Sequence, residues 1–361
     1  MTGRERILQA LALGQPDRVP IFELGMNESS IVKLGRLLFG EQMLPERDLP
    51  DLTPDEAVRL IDVFCAIVEV LDLDAASTVF LTGRRRHSED HVRDKFGIVY
   101  HVSQHGEPYP VEGPVHDASD LGRIEEMEPE PADFLMLQYV IGKLGKERAH
   151  VFTIPGPFRW SWSLRGAMEG LLLDYVTDPD LAHALARITT DFCRTSVARA
   201  IELGADVICV EGDLAHNPTT LMSPAHYREF LKPYHREVVE AAHAGGARII
   251  KHSDGNLWPI LDDLVEVGFD GIHPIQPQCM DIGEVKRHLA GRACVLGNID
   301  CMYLLPFGSE DEVVESVKDT LAKAAPGGGY IASSSNSIHP GCRPENYVAM
   351  VKAIREYGVY S

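Results

Sequence analysis

Arg248-Ile-Ile-Lys-His-Ser-Asp-Gly-Asn256 is the stretch that decides the fold. An apolar pair, Ile249-Ile250, runs into a His, a Ser, an Asp, a Gly and an Asn. A buried parallel strand that delivers polar side chains to a cleft reads this way. The pattern recurs. Asp206-Val-Ile-Cys-Val210 ends in Glu211-Gly-Asp213, Ala293-Cys-Val-Leu296 ends in Gly297-Asn-Ile-Asp-Cys301, and Tyr330-Ile-Ala332 ends in Ser333-Ser-Ser-Asn-Ser-Ile-His339. Apolar strands whose C-terminal ends are all loaded with polar groups predict an α/β protein, a (β/α)8 TIM barrel with its site on that face.

Outward from this stretch, strands are expected at 19–25, 75–81, 151–154, 206–210, 248–252, 270–275, 293–297 and 330–334. Helical patterns fill the gaps. Thr2 with Glu5 reads as a capping box for a helix through Ala12, and Ser309 with Glu312 as another before the last strand. Asp178 opens a helix towards Gly204, and Ser223 caps one with Pro224 at its first position. The whole chain, 1–361, is read as a single barrel domain with an excursion at about 82–150 covering one side of the barrel mouth. The excursion holds Arg84-Arg-Arg86, a hairpin signal near Ile98–Val102 and the acidic run Glu125–Glu130. A triple arginine is most often a solvated face; the sharper reading is that it meets an anionic group of a ligand or partner.

The net charge of −20 argues against nucleic acid and anionic membrane surfaces, both of which want a basic face. No apolar run is long enough to span a bilayer, and the N-terminus reads as a capped helix rather than a signal peptide. The expectation is a cytoplasmic protein. The seven cysteines are scattered with no Cys-x-x-Cys pair and are read as free thiols, with Cys65, Cys193, Cys209 and Cys294 as core packing.

His252 and Glu211 end adjacent strands, and Cys301 follows the seventh on the same face. An imidazole, a carboxylate and a thiolate with one open position would suit catalytic Zn²⁺. The bland reading is that these groups bond one another or an organic ligand, with the Cys301 thiol packed against the next helix. Asp254 and Asp213 are the other acids there, suited to acid–base work or to supporting His252. His273 lies inside the sixth strand as a cleft or core histidine. Asn298 and Asn336 close the last two strands and suit helix capping or ligand hydrogen bonds. The loop Gly156-Pro-Phe-Arg-Trp-Ser-Trp162 offers Arg159 and Trp160 to a flat ligand by stacking and cation–π contact, with core packing as the alternative for Trp162.

Several motifs together resemble the uroporphyrinogen decarboxylase superfamily. They are Thr2-Gly-Arg-Glu-Arg-Ile-Leu8, Gln15-Pro-Asp-Arg-Val-Pro20, Ser223-Pro-Ala-His-Tyr-Arg-Glu-Phe-Leu-Lys-Pro233, His252-Ser-Asp-Gly255, Gly297-Asn-Ile-Asp300 and Pro344-Glu-Asn346. The resemblance implies a (β/α)8 barrel and covers essentially the whole chain. True decarboxylases carry an early Gln-Ala-Gly-Arg stretch whose Arg holds substrate carboxylates; the matching region here is Phe22-Glu-Leu-Gly-Met-Asn-Glu28, without an Arg. The corrinoid methyltransferase branch holds zinc with a His-x-Cys pair and a later Cys. Here His252-Ser-Asp254 puts Asp in place of the Cys, and Asn336 falls near the last one. A harder site with carboxylate ligands suits an oxygen-bound methyl donor.

The leading expectation is a corrinoid-dependent methyltransferase that moves a methyl group between a small donor, such as an aryl methyl ether, and a corrinoid carried by a partner protein. Zinc on His252, Glu211 and Cys301 would assist. The alternatives are a cofactor-free decarboxylase and a non-catalytic tetrapyrrole-binding protein. The oligomeric state is left open, a homodimer included.

Overall fold

A computed structural model describes residues 1–40, 52–102 and 108–360. The strands are β1 (Ala75–Val79), β2 (Arg85–Arg86), β3 (His91–Arg93), β4 (Val99–His101), β5 (Tyr109–Glu112), β6 (Ala149–Pro155), β7 (Val207–Glu211), β8 (Arg248–His252), β9 (Gly271–His273), β10 (Cys294–Leu296) and β11 (Tyr330–Ile331). A parallel sheet runs β1-β6-β7-β8-β9-β10-β11, and β2 to β5 form a separate antiparallel sheet in chain order. Each parallel strand therefore pairs with the next one wound on, with helices packed outside, as repeated βαβ crossovers require.

The segment 19–26 closes the ring. Phe22 N–H donates to the Ala332 carbonyl at 3.0 Å, Ala332 N–H to Pro20 at 2.9 Å, and Asp74 N–H to Ile21 at 3.0 Å. Parallel bridges pair Ile21 with Ala332 and Met26 with Ile338. The expected strand at 19–25 is thus a run of isolated bridges. Its chemistry explains why: Pro20 has no N–H to give, and the Ile21 N–H is taken by the Asp74 carboxylate at 2.9 Å instead of a ladder carbonyl. Arg6 and Arg18 hold that buried carboxylate at 3.0 and 3.1 Å. The architecture is the (β/α)8 barrel that the loaded strand ends predict.

The barrel interior is filled by Phe22, Val151, Val207, Cys209, Ile250 and Leu296, with Ile7 and Leu11 of helix Gly3–Leu11 closing the floor. Ile208, Val210 and Ile249 belong to the outer core beneath the helices. The two-residue phase of a strand then puts Glu211 inward above Cys209, and His252 inward above Ile250. Thr2 and Ser309 form the expected capping boxes, and Ser223 caps helix Pro224–Phe230. The antiparallel sheet, which contains the expected hairpin, packs beside the exit of β6. Phe96 meets the Trp160 ring at 5.1 Å and Phe192 at 5.4 Å. Among the described residues no helix is long and apolar enough to cross a membrane.

Candidate metal centre

β8 ends on His252, and the next two residues turn across the mouth of the barrel. One ligand atom each from Asp213, His252 and Asp254 lies within 4.8 Å of the others. His252 Nε2 is 3.9 Å from Asp213 Oδ1. The Asp254 N–H donates to the same Oδ1 at 2.8 Å, and Asn336 Nδ2 donates to Asp254 Oδ2 at 2.6 Å. Ser253 Oγ accepts the Leu214 N–H at 2.9 Å, which pins the loop after β7 to the loop after β8.

Backbone freedom makes this approach possible at Gly255. Its φ is +90°, and an added Cβ would fall 2.5 Å from the Ala215 carbonyl carbon and 2.6 Å from His216 N. Only a residue without a side chain lets the two loops meet so closely.

The imidazole of His252 is neutral. Burial, then the nearby Lys251 charge, push its pKa down to about 3. His252 Nδ1 lies 2.9 Å from His273 Nδ1, and burial holds His273 well below the usual histidine range. Two neutral rings at that distance share one proton between the facing nitrogens. With it on His252, the Nε2 lone pair faces the carboxylates, the state a metal ligand needs. His273 is wholly buried and meets Phe22 edge-on at 5.8 Å, so it backs His252 rather than lining the mouth.

The set favoured on sequence was His252, Glu211 and Cys301; the structure gathers His252 with Asp213 and Asp254 instead. Glu211 sits at the last paired position of β7, inward and one step below the turn that brings Asp213 back over the mouth. The Cys301 thiol is buried, accepts from Ser335 Oγ at 3.3 Å, and is pushed up to about 11 by burial, which keeps it protonated. Trp160, expected at the ligand, is 1% exposed and packs edge-on against Phe80 and Phe192. Asn298 is buried and donates to the Ile275 carbonyl at 2.7 Å, tying β10's end to β9's. Arg159 is half-buried with its guanidinium 4.2 Å above the Trp162 ring. Its Cβ lies where a side chain on Gly212 would go, 2.9 Å away, so it stands against the Asp213 loop. Among the described residues no carboxylate lies within ion-pair distance of it.

Two supporting residues escaped the sequence reading. Lys251 is fully buried, and its ammonium donates to the carbonyls of Gly212 at 2.7 Å, His252 at 2.5 Å and Val210 at 3.3 Å. It holds the ends of β7 and β8 together beneath the cluster. Glu23 is buried beside the last strand, where burial raises its pKa to about 8. Its Oε1 accepts the Ser334 N–H at 3.1 Å, and its Oε2 lies 2.7 Å from Ser334 Oγ. That hydroxyl also lies 2.6 Å from the Asn336 carbonyl, which can only accept. The single hydroxyl proton goes to Asn336, so Glu23 supplies the proton to its own contact and is a neutral acid.

Because folding holds Glu23 protonated, it favours the folded state fully below pH 4.5 and loses that effect as pH rises to about 8. Glu23→Gln keeps both hydrogen bonds without the titration. We expect equal stability for the two proteins at pH 4 and a variant more stable at pH 9, by on the order of 2–4 kcal/mol in urea unfolding. Parallel pH profiles would show Glu23 ionised in the fold.

A parallel barrel with a His–carboxylate cluster where its strands end defines a class, the (β/α)8 proteins that bind ligands at that face. The pattern of the uroporphyrinogen decarboxylase (URO-D) family matches residues 91–357, and the chain belongs to that family. It is 24% identical over 288 residues to uroporphyrinogen decarboxylase of Thioalkalivibrio sulfidiphilus, covering 74% of this chain and 77% of the relative. It is 26% identical over 227 residues to the methylcobamide:CoM methyltransferase MtaA of Methanosarcina barkeri, covering 63% of this chain and 64% of the relative. Its backbone matches a solved methyltransferase from Methanosarcina mazei with a TM-score of 0.74 at 22% identity over 99% of both chains. These relatives are enzymes of two kinds.

Proposed function

We propose that the protein is a methyltransferase that passes a methyl group from a small donor, such as an aryl methyl ether, to a corrinoid carried by a partner protein. The observation that carries this reading is the convergence of Asp213, His252 and Asp254. One neutral imidazole and two carboxylates are a donor set that fits Zn²⁺ with a position left open. A divalent ion held there supplies Lewis acidity towards an ether oxygen.

The chain's own residues do the rest. His252 presents an unprotonated Nε2, backed by His273. Asn336 and the Asp254 amide orient the two carboxylates. Arg159, stacked on Trp162 beside the Asp213 loop, offers a cation to a ring or an acidic substituent of the donor. Asn336→Ala removes the bond to Asp254 Oδ2 while leaving the three ligands in place. It is expected to weaken metal binding about 10–100-fold in chelator competition, with little loss of stability. Unchanged metal affinity would remove Asn336 from the site.

The test uses the purified protein with zinc, free reduced cobalamin and a panel of methoxylated aromatic compounds. Methylated cobalamin and the matching phenol should both appear, and only with metal. Full activity in metal-stripped protein would refute the reading. The second reading, a decarboxylase, is favoured by the similarity to named uroporphyrinogen decarboxylases, which is of the same order as that to MtaA. Robust formation of coproporphyrinogen from uroporphyrinogen would establish it instead.

A further inference from the structure

The antiparallel excursion carries a feature that the barrel mouth does not use. A cleft of about 650 Å³ is lined by Arg85, Arg86, His87, Arg93 and Lys95, with Asp94, Glu130 and Asp133 among its other walls. In a chain of net charge −20, a concave surface with four such cations is out of character.

The acids in the cleft are already engaged. Lys95 Nζ bonds both Asp133 oxygens at 2.7 Å and lies 3.4 Å from Glu130. Asp94 accepts the N–H groups of Phe96 and Ile98 at 3.0 Å and the Tyr100 hydroxyl at 2.8 Å. Arg85 and Arg93 are left. They are register partners in the β2–β3 pair, so their side chains leave the same face directly opposite each other. Both are exposed, and among the described residues neither guanidinium meets a carboxylate. Like charges facing across two strands destabilise the pair unless something negative sits between them.

We propose that this cleft binds a small ligand bearing a phosphate-type dianion, clamped between the guanidinium forks of Arg85 and Arg93. Planar forks match phosphate oxygens in bidentate fashion, which a single ammonium does not. The volume suits a small molecule rather than a flat protein surface. None of the lining residues belongs to the candidate metal centre, so the proposal stands independently of the methyl-transfer reading.

Inorganic pyrophosphate is the probe, titrated calorimetrically into the full-length protein at low ionic strength. The wild type should bind one equivalent, and Arg85→Ala/Arg93→Ala should weaken binding at least tenfold. Arg199→Ala, which removes an exposed cation elsewhere, should bind like wild type. Without the anion, Arg93→Thr should raise the melting temperature by relieving repulsion, and pyrophosphate should stabilise wild type but not this variant. Citrate in a parallel titration separates phosphate from carboxylate recognition; tighter binding of citrate would overturn the phosphate assignment. No heat with wild-type protein, or equal binding by the double variant, would overturn the site itself.

Discussion

Substituting His252 with Ala is expected to abolish both metal retention and methyl transfer. The side chain is the only imidazole in the cluster, and it is the group most firmly held, buried at the end of β8 with its second nitrogen 2.9 Å from His273. Removing it leaves two carboxylates, of which Asp213 is nearly half exposed and oxygen donors alone hold zinc poorly. Metal content by elemental analysis should fall to background, and turnover by at least a thousandfold, roughly the loss of the ~4 kcal/mol that a charge-stabilising group supplies. Cys65→Ala at a core position and Cys301→Ser beside the mouth should both keep the metal. Zinc lost from Cys301→Ser with the fold intact would return the thiol to the ligand set. A fully loaded His252→Ala protein would sink the centre as described.

Gly255→Ala should damage both the fold and the candidate metal centre. The added methyl carbon meets backbone on the facing loop at 2.5 Å, in a conformation with φ of +90° that alanine rarely adopts. Backbone cannot swing aside as a side chain can, so the two loops must separate. The expected loss is ~3–5 kcal/mol in urea unfolding. Bound metal should vanish with it, because Asp254 precedes the glycine and Asp213 lies just before the displaced Ala215 and His216. The same substitution at Gly142, where a Cβ meets nothing within 4 Å, is the control and should be neutral or slightly stabilising. Near-native stability for Gly255→Ala would show that the loops are not so tightly joined.

The barrel was legible because its strands advertise themselves twice, by β-rich apolar runs and by polar residues at one end of each. The ligand set was not, and the reasons are local. Counting along β7 points to Glu211, but Gly212 at φ +122° turns the chain back so that Asp213 arrives beside His252. The bond that orients Asp254 comes from Asn336, 82 residues away, and no periodicity foretells such a pair. The closing strand was placed correctly but drawn too regular, since Pro20 and Asp74 interrupt its ladder. Two signals lay in plain view and went unread. Lys251 and Glu23 are charged residues inside apolar runs, and both prove to be buried supports of the mouth.

The manner in which the ring closes has a consequence for how the protein is made. Glu23 and Ser334, which meet across the seam, are 311 residues apart in the chain. During synthesis the segment 19–26 must wait, one of its two neighbours still unmade, until the 311 residues between Glu23 and Ser334 have left the ribosome. For that interval the growing sheet presents two open edges, the segment 19–26 and whichever strand was formed last. Unpaired parallel edges are slow to be satisfied and prone to pair with other chains. Deleting β11 and the residues after it should therefore yield an aggregating open sheet rather than a smaller soluble barrel.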